Sequence, residues 1–143
     1  MEPGRWVLIV LTFAIAGLVA AAASAQTVEG RARVIDGDTL EVAGERIRIE
    51  GLHAPELTEP AGEVARAFVE QLVRDETVRC VSDGQRSYRR LVARCFVHGS
   101  EDVAAALVSA GLGRDCTRYS GGRYAGLETS AGRALPLPSY CRR

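Results

Sequence analysis

Over residues 27–35 apolar and polar positions alternate, with Val28, Ala32 and Val34 on one side and Arg31 and Arg33 on the other. A period of two predicts a half-buried strand. Asp36-Gly37-Asp38 follows as a turn signal. Residues 39–42 predict a second strand with Leu40 and Val42 facing inward, and Ala43-Gly44 reverses the chain. Residues 45–50 predict a third, with Ile47 and Ile49 opposite in phase to Arg46 and Arg48. Three short strands joined by tight turns form an antiparallel meander.

The period then changes. Ala61, Val64, Ala65, Phe68, Val69, Leu72 and Val73 recur at helical spacing, predicting a helix that starts near Glu59-Pro60. Arg66, Glu70 and Arg74 form its solvated face. Residues 77–81 and 91–97 predict a fourth and a fifth strand, separated by a polar loop over 82–90. A second helix is expected over 101–110, capped by Ser100 or Glu101-Asp102 and ended by Gly111, with Val103, Ala106, Leu107 and Ala110 buried. Residues 124–133 suggest a third, short helix, and residues 135–138 an extended tail. This order predicts an α+β fold, mainly β, with a five-stranded OB-fold barrel and two to three helices.

Composition changes the picture mainly at the N-terminus. A short segment with one arginine precedes an apolar run over 6–19, then small residues ending in Ala23-Ser24-Ala25. Residues 1–25 therefore read as a signal peptide cleaved before Gln26, with a periplasmic or secreted domain over 26–143. The alternative is an uncleaved anchor, because residues 6–25 are just long enough to span a membrane. Cys80, Cys95, Cys116 and Cys141 all lie in the exported part. An even count in a small exported domain suggests two disulfides. Cys80–Cys95 and Cys116–Cys141 are the favoured pairs, each close in sequence and bracketing a turn; free buried thiols are the alternative.

Acids and bases balance at 18 each, and every base is arginine. That is not the strongly basic profile of an architectural nucleic-acid binder, so any grip on phosphate must be local. Arginine suits such a grip because its planar fork binds phosphate in a bidentate way.

Asp36 and Asp38 satisfy a turn that needs Asp and Gly, or they supply carboxylates to a hard metal. Arg48 projects from the third strand, and Glu56 follows closely behind Pro55. A glutamate beside a metal-bound water can act as general base, and an arginine can stabilise charge on a phosphoryl group. Arg86, Arg89 and Arg90 surround Tyr88, which is either a solvated loop or a cluster suited to phosphate contact and base stacking.

Asp-Gly-Asp-Thr, then Ile-Arg-Ile-x-Gly-Leu-x-Ala-Pro-Glu, a helix, Tyr-x-Arg-Leu-Val-Ala and a helix ending in Gly-Leu together resemble the thermonuclease (staphylococcal nuclease-like) family. The resemblance covers residues 28–112. It implies an OB-fold barrel that hydrolyses phosphodiester bonds in DNA and RNA with calcium. It also implies that Asp38 binds the metal, Arg48 and Arg90 hold the phosphate, and Glu56 acts as general base or organises the attacking water. Tyr88 and Tyr119 would line the nucleotide site.

Two positions depart from the family pattern. His53 stands where the family has a metal-ligating aspartate, and Arg89 where it has the glycine of Tyr-Gly-Arg. Ala54 replaces a threonine whose contribution would be a backbone carbonyl. An imidazole in place of a hard oxygen lowers affinity for Ca²⁺ and favours Mn²⁺, Fe²⁺ or Zn²⁺. His53 is thus a ligand for another metal, a hydrogen-bonding partner of Glu56 or phosphate, or the mark of a weakened site. Arg89 either adds charge for the substrate or blocks it. The expected function is a metal-dependent nuclease acting on single-stranded DNA or RNA. The alternatives are a catalytically weakened barrel that binds nucleic acid or another anionic polymer, and a protein-interaction module of the cell envelope.

Overall fold

The computed structural model describes residues 25–142, so the expected signal peptide, all but its last residue, lies outside the described residues. Strands β1 (Gln26–Gly30), β2 (Ala32–Asp36), β3 (Thr39–Val42) and β4 (Glu45–Ile49) lead into the short β5 (Leu52–His53) and helix α1 (Gly62–Val73). Next come β6 (Val78–Ser82), the short β7 (Arg86–Ser87), β8 (Arg90–Val97), the short β9 (Glu101–Asp102) and α2 (Val103–Ser109). The C-terminal part holds β10 (Arg114–Asp115), α3 (Thr117–Ser120), a 3-10 turn (Ala125–Leu127), α4 (Ser130–Ala134) and a final 3-10 turn (Ser139–Cys141).

The predicted first strand is two strands, broken at Arg31. Its first half pairs with β6 and its second half with β3. The main sheet runs β1-β6-β8-β4-β3-β2, so its two edges are halves of one bent strand. The sheet thereby rolls on itself, and the chain at Arg31 forms the corner. Counting β1 and β2 as one, five long strands make the OB-like roll that the sequence predicts. β2, β3 and β4 form the expected meander, and β4 pairs in parallel with β8.

Leu40, Val42, Ile47, Ile49, Leu91, Ala93 and Val97 fill the interior, and α1 and α2 cover it with Ala65, Val69, Val103 and Leu107. Helix α1 starts later than its sequence suggests. Glu59 N–H is bonded back to Glu56 C=O, and Gly62 N–H to Glu59 C=O, so residues 56–61 form turns instead. Val64, counted in the apolar stripe, is 54% exposed. Helix α2 is rotated from its expected face: Ala104 and Val108 are buried while Ala110 is exposed. Asp102 caps it, accepting from Ala104 N–H and Ala105 N–H.

Two to three helices were expected and four form among the described residues. The single helix expected over 124–133 is broken at Glu128 and Thr129. There the backbone is extended, and Thr129 caps α4 by accepting from Gly132 N–H. Arg90 belongs to β8, not to the loop before it. Both favoured disulfides form. Cys80 and Cys95 face each other across β6 and β8, and Cys116 ties the start of α3 to Cys141 in the tail. Among the described residues no helix is long and apolar enough to cross a membrane.

Candidate functional site

The turn between β2 and β3 is built to meet the loop after β5. Asp36 Oδ1 accepts from Asp38 N–H at 3.0 Å, closing the turn. A side chain at Gly37 would place its Cβ 2.6 Å from the Ala54 Cβ and 3.1 Å from that of Ala65, so only glycine lets the two segments touch. Ile49 N–H donates to Asp38 C=O, which pins the end of β4 to the same turn.

Within that junction the Asp38 carboxylate is held at both oxygens. Its Oδ2 takes Arg48 Nη2 at 3.1 Å and Ala54 N–H at 3.2 Å. Its Oδ1 accepts the Thr39 hydroxyl at 3.2 Å. Arg90 Nη1 in turn donates to Thr39 Oγ1 at 3.1 Å. The strand register explains the assembly: Thr39 on β3 lies directly opposite Arg48 on β4, and β8 brings Arg90 alongside. Arg48 Nη1 also donates to Ile49 C=O at 2.7 Å.

Burial pushes the Asp38 carboxyl up to about 6. Arg48 pulls it down, Asp36 raises it further, and the bonds from Ala54 and Thr39 oppose the rise. His53 is 6% exposed, and its Nδ1 is buried without a hydrogen-bond partner. Burial holds its imidazole below the usual range, Arg48 adds to that, Glu59 opposes it, and Arg114 lowers it further. Arg114 lies opposite His53 in the β5–β10 ladder.

Asp38, Arg48 and Arg90 are therefore joined in one network, and His53 shares the field of Arg48. The other sequence-predicted residues sit outside it. Glu56 is exposed, and among the described residues no hydrogen bond or ion pair links its side chain to Asp38, Arg48 or His53. Tyr88 is 95% exposed at the tip of the β7–β8 hairpin, in a left-handed backbone conformation. Arg89 beside it is exposed, with its C=O accepting from Arg86 Nη1. Tyr119 is 54% exposed and lies against Arg118.

Thr39, the link between Arg90 and Asp38, enters the sequence reading only as the end of Asp-Gly-Asp-Thr and the start of a strand. Its place directly after Asp38, at the first residue of a strand, was the signal that its hydroxyl could reach that carboxylate. Glu59 was read only as a helix start; its spacing of three from Glu56 was the signal of a turn closed by a side chain.

The donors bear on any metal. Among the described residues no three His, Cys, Asp or Glu side chains converge where one ion could take all of them. A carboxylate offers about four acceptor sites, and three at Asp38 are taken. What remains is one carboxylate site and the free His53 Nδ1. This set does not build the six-to-eight-oxygen cage of calcium by itself.

Comparison with known proteins agrees with the geometry. The family described as staphylococcal nuclease homologue matches residues 46–134. The succinoglycan biosynthesis protein ExoI of Rhizobium meliloti (strain 1021) is 34% identical over 121 residues, covering 77% of this chain. The match takes in 63% of ExoI, so this chain spans under two thirds of that curated relative's length.

Proposed function

The chain belongs to the staphylococcal nuclease homologue family, and on that premise we propose that it is an exported, metal-dependent hydrolase of phosphodiester bonds in single-stranded DNA or RNA. The observation that carries this reading is the Arg90–Thr39–Asp38–Arg48 network, which holds two guanidinium groups around one buried carboxylate. Arg48 has five N–H donors and spends two on Asp38 and Ile49. Arg90 spends one on Thr39. The remaining donors bind a phosphate and stabilise the charge that grows on it. Because the protein already orients both arginines, little reorganisation accompanies substrate binding.

Glu56 is exposed and free to take a proton from an attacking water. Asp38 and His53 would hold the metal, which would supply Lewis-acid polarisation of a phosphoryl oxygen. Tyr88, almost wholly exposed next to Arg89 and Arg90, offers a stacking face for an unpaired base. The two disulfides fit an oxidising compartment and support export.

A second reading also has support. Asp38 is nearly saturated by protein donors, and the relative ExoI is named for biosynthesis of a glycan. The same arginines would then bind an anionic polymer without cutting it, and affinity would fall steeply with salt.

The test uses the oxidised domain on heat-denatured DNA, RNA and an acidic polysaccharide, with Ca²⁺, Mn²⁺, Zn²⁺ or EDTA. Metal-dependent cleavage of nucleic acid that Glu56→Gln abolishes is the expected result. Silence of the native chain under every metal, with calcium-dependent cleavage gained in His53→Asp, overturns it in favour of a barrel that binds only.

A further inference from the structure

Glu59 lies outside every motif that identifies the site, yet it closes the segment carrying Glu56. The Glu59 carboxylate Oε2 accepts the Glu56 N–H. In return, Glu59 N–H donates to Glu56 C=O at 2.8 Å. The turn over residues 56–59 is therefore locked from both directions, once by backbone and once by a charged side chain. Hydrogen bonds with an ionised acceptor are about twice as strong as neutral ones.

The next contact removes what freedom is left. Gly62 N–H donates to Glu59 C=O at 3.0 Å, and a Cβ at Gly62 would lie 1.9 Å from Glu56 C=O. The first turn of α1 thus presses directly on the backbone of Glu56.

Resting on the nuclease reading above, we propose that Glu59 is a positioning residue for Glu56. It does not touch substrate. It fixes the backbone from which the Glu56 carboxylate projects, so that this exposed side chain samples a narrow cone instead of swinging with a loose loop. A general base gains its efficiency from being held within hydrogen-bond reach of the proton it takes.

The test compares Glu59→Ala and Glu59→Gln with the native oxidised chain, reading kcat and KM separately, thermal stability, and exchange of the Glu56 amide proton. The alanine variant loses the acceptor, so kcat should fall about tenfold or more while KM stays within about twofold. Exchange of the Glu56 amide should quicken by about tenfold, the size expected for one lost hydrogen bond. The glutamine variant keeps an acceptor oxygen and should recover most of both. Native-like kcat and native-like Glu56 exchange in Glu59→Ala would overturn the proposal. So would equal losses in both variants that follow the fall in melting temperature, because that is the mark of a general structural role. If the native chain proves inactive, the nuclease reading fails separately. The exchange measurement then decides alone whether Glu59 holds Glu56: quickened exchange upholds the assignment and unchanged exchange overturns it.

Discussion

Asp38 Oδ2 and Arg48 Nη2 lie 3.1 Å apart, with only 11% and 14% of their side chains exposed. A carboxylate so placed needs a counter-charge, and Arg48 needs an acceptor. Breaking a buried pair by removing one partner costs about 3–5 kcal/mol, because the other charge is left uncompensated.

Arg48→Ala should therefore lose about 3 kcal/mol of stability near neutral pH. The loss should shrink in mild acid, where the stranded carboxyl takes up a proton and ceases to be a buried charge. Urea unfolding at pH 7.5 and pH 5 measures both. An equal shift of midpoint at the two pH values contradicts the account.

Two buried groups pull the stability of the native protein in opposite directions with pH. Asp38 keeps its proton up to about 6 when folded and ionises near 3.8 when unfolded. Between those values the folded state binds more protons, so this group makes stability fall as pH rises. The full shift is worth on the order of 3 kcal/mol at most. His53 is depressed below 6.5, so the unfolded chain takes the proton first and stability falls as pH drops below 6.5. Asp38→Asn should leave the histidine effect unmasked and steepen the loss in acid; His53→Gln should do the reverse. Denaturation curves of the three proteins between pH 4.5 and 7.5 separate them. Curves that run parallel throughout would remove both shifts from consideration.

Thr39 links Arg90 to the Asp38 carboxylate, and Thr39→Val keeps its shape while removing both hydrogen bonds. Stability should drop by about 1–2 kcal/mol. Affinity for a short single-stranded oligonucleotide should drop about three- to tenfold, since Arg90 loses its anchor. Thr39→Ser should retain most of each. Binding isotherms in EDTA isolate the affinity term from any catalysis.

The Cys116–Cys141 bridge closes a loop with a sequence separation of 25. Replacing both by serine should cost about 3 kcal/mol. Cys116 N–H also donates to Gly51 C=O, just before β5. The amides of Leu52 and His53 should therefore exchange faster in the double variant than those of β3 and β4. Uniform acceleration across the sheet would show that the bridge supports the whole domain equally.

Much of this was legible in the sequence. The meander showed itself because a period of two leaves no choice of face, and the Asp-Gly-Asp turn demanded the reversal that brings Asp38 to Arg48. The break at Arg31 was not legible. Alternation continues straight through that residue, and only the separate partners of β1 and β2 reveal the bend. The exposure of Val64 had the same origin, because an apolar stripe does not state how wide the facing surface is. For the site, motif spacing brought out Asp38, Arg48 and Arg90. It missed Thr39 as the link from Arg90 to Asp38 and Glu59 as the lock on Glu56, since both act through hydrogen bonds that need coordinates to be seen. The C-terminal part was least readable because its short helices are set by caps and by a disulfide, not by a periodic pattern.

The ladder between β5 and β10 pairs Leu52 and His53 with Asp115 and Arg114, on a segment tied down by Cys116. The network of Asp38, Thr39, Arg48 and Arg90 is complete in the sequence by residue 90. The strand bearing His53 takes its partner from Arg114, and the tether beyond it closes when the Cys116 and Cys141 thiols are oxidised by the surroundings. The site is therefore drawn from two stretches of chain: the arginine network from residues 38–90, and the seat of His53 from a later stretch that carries none of the motif.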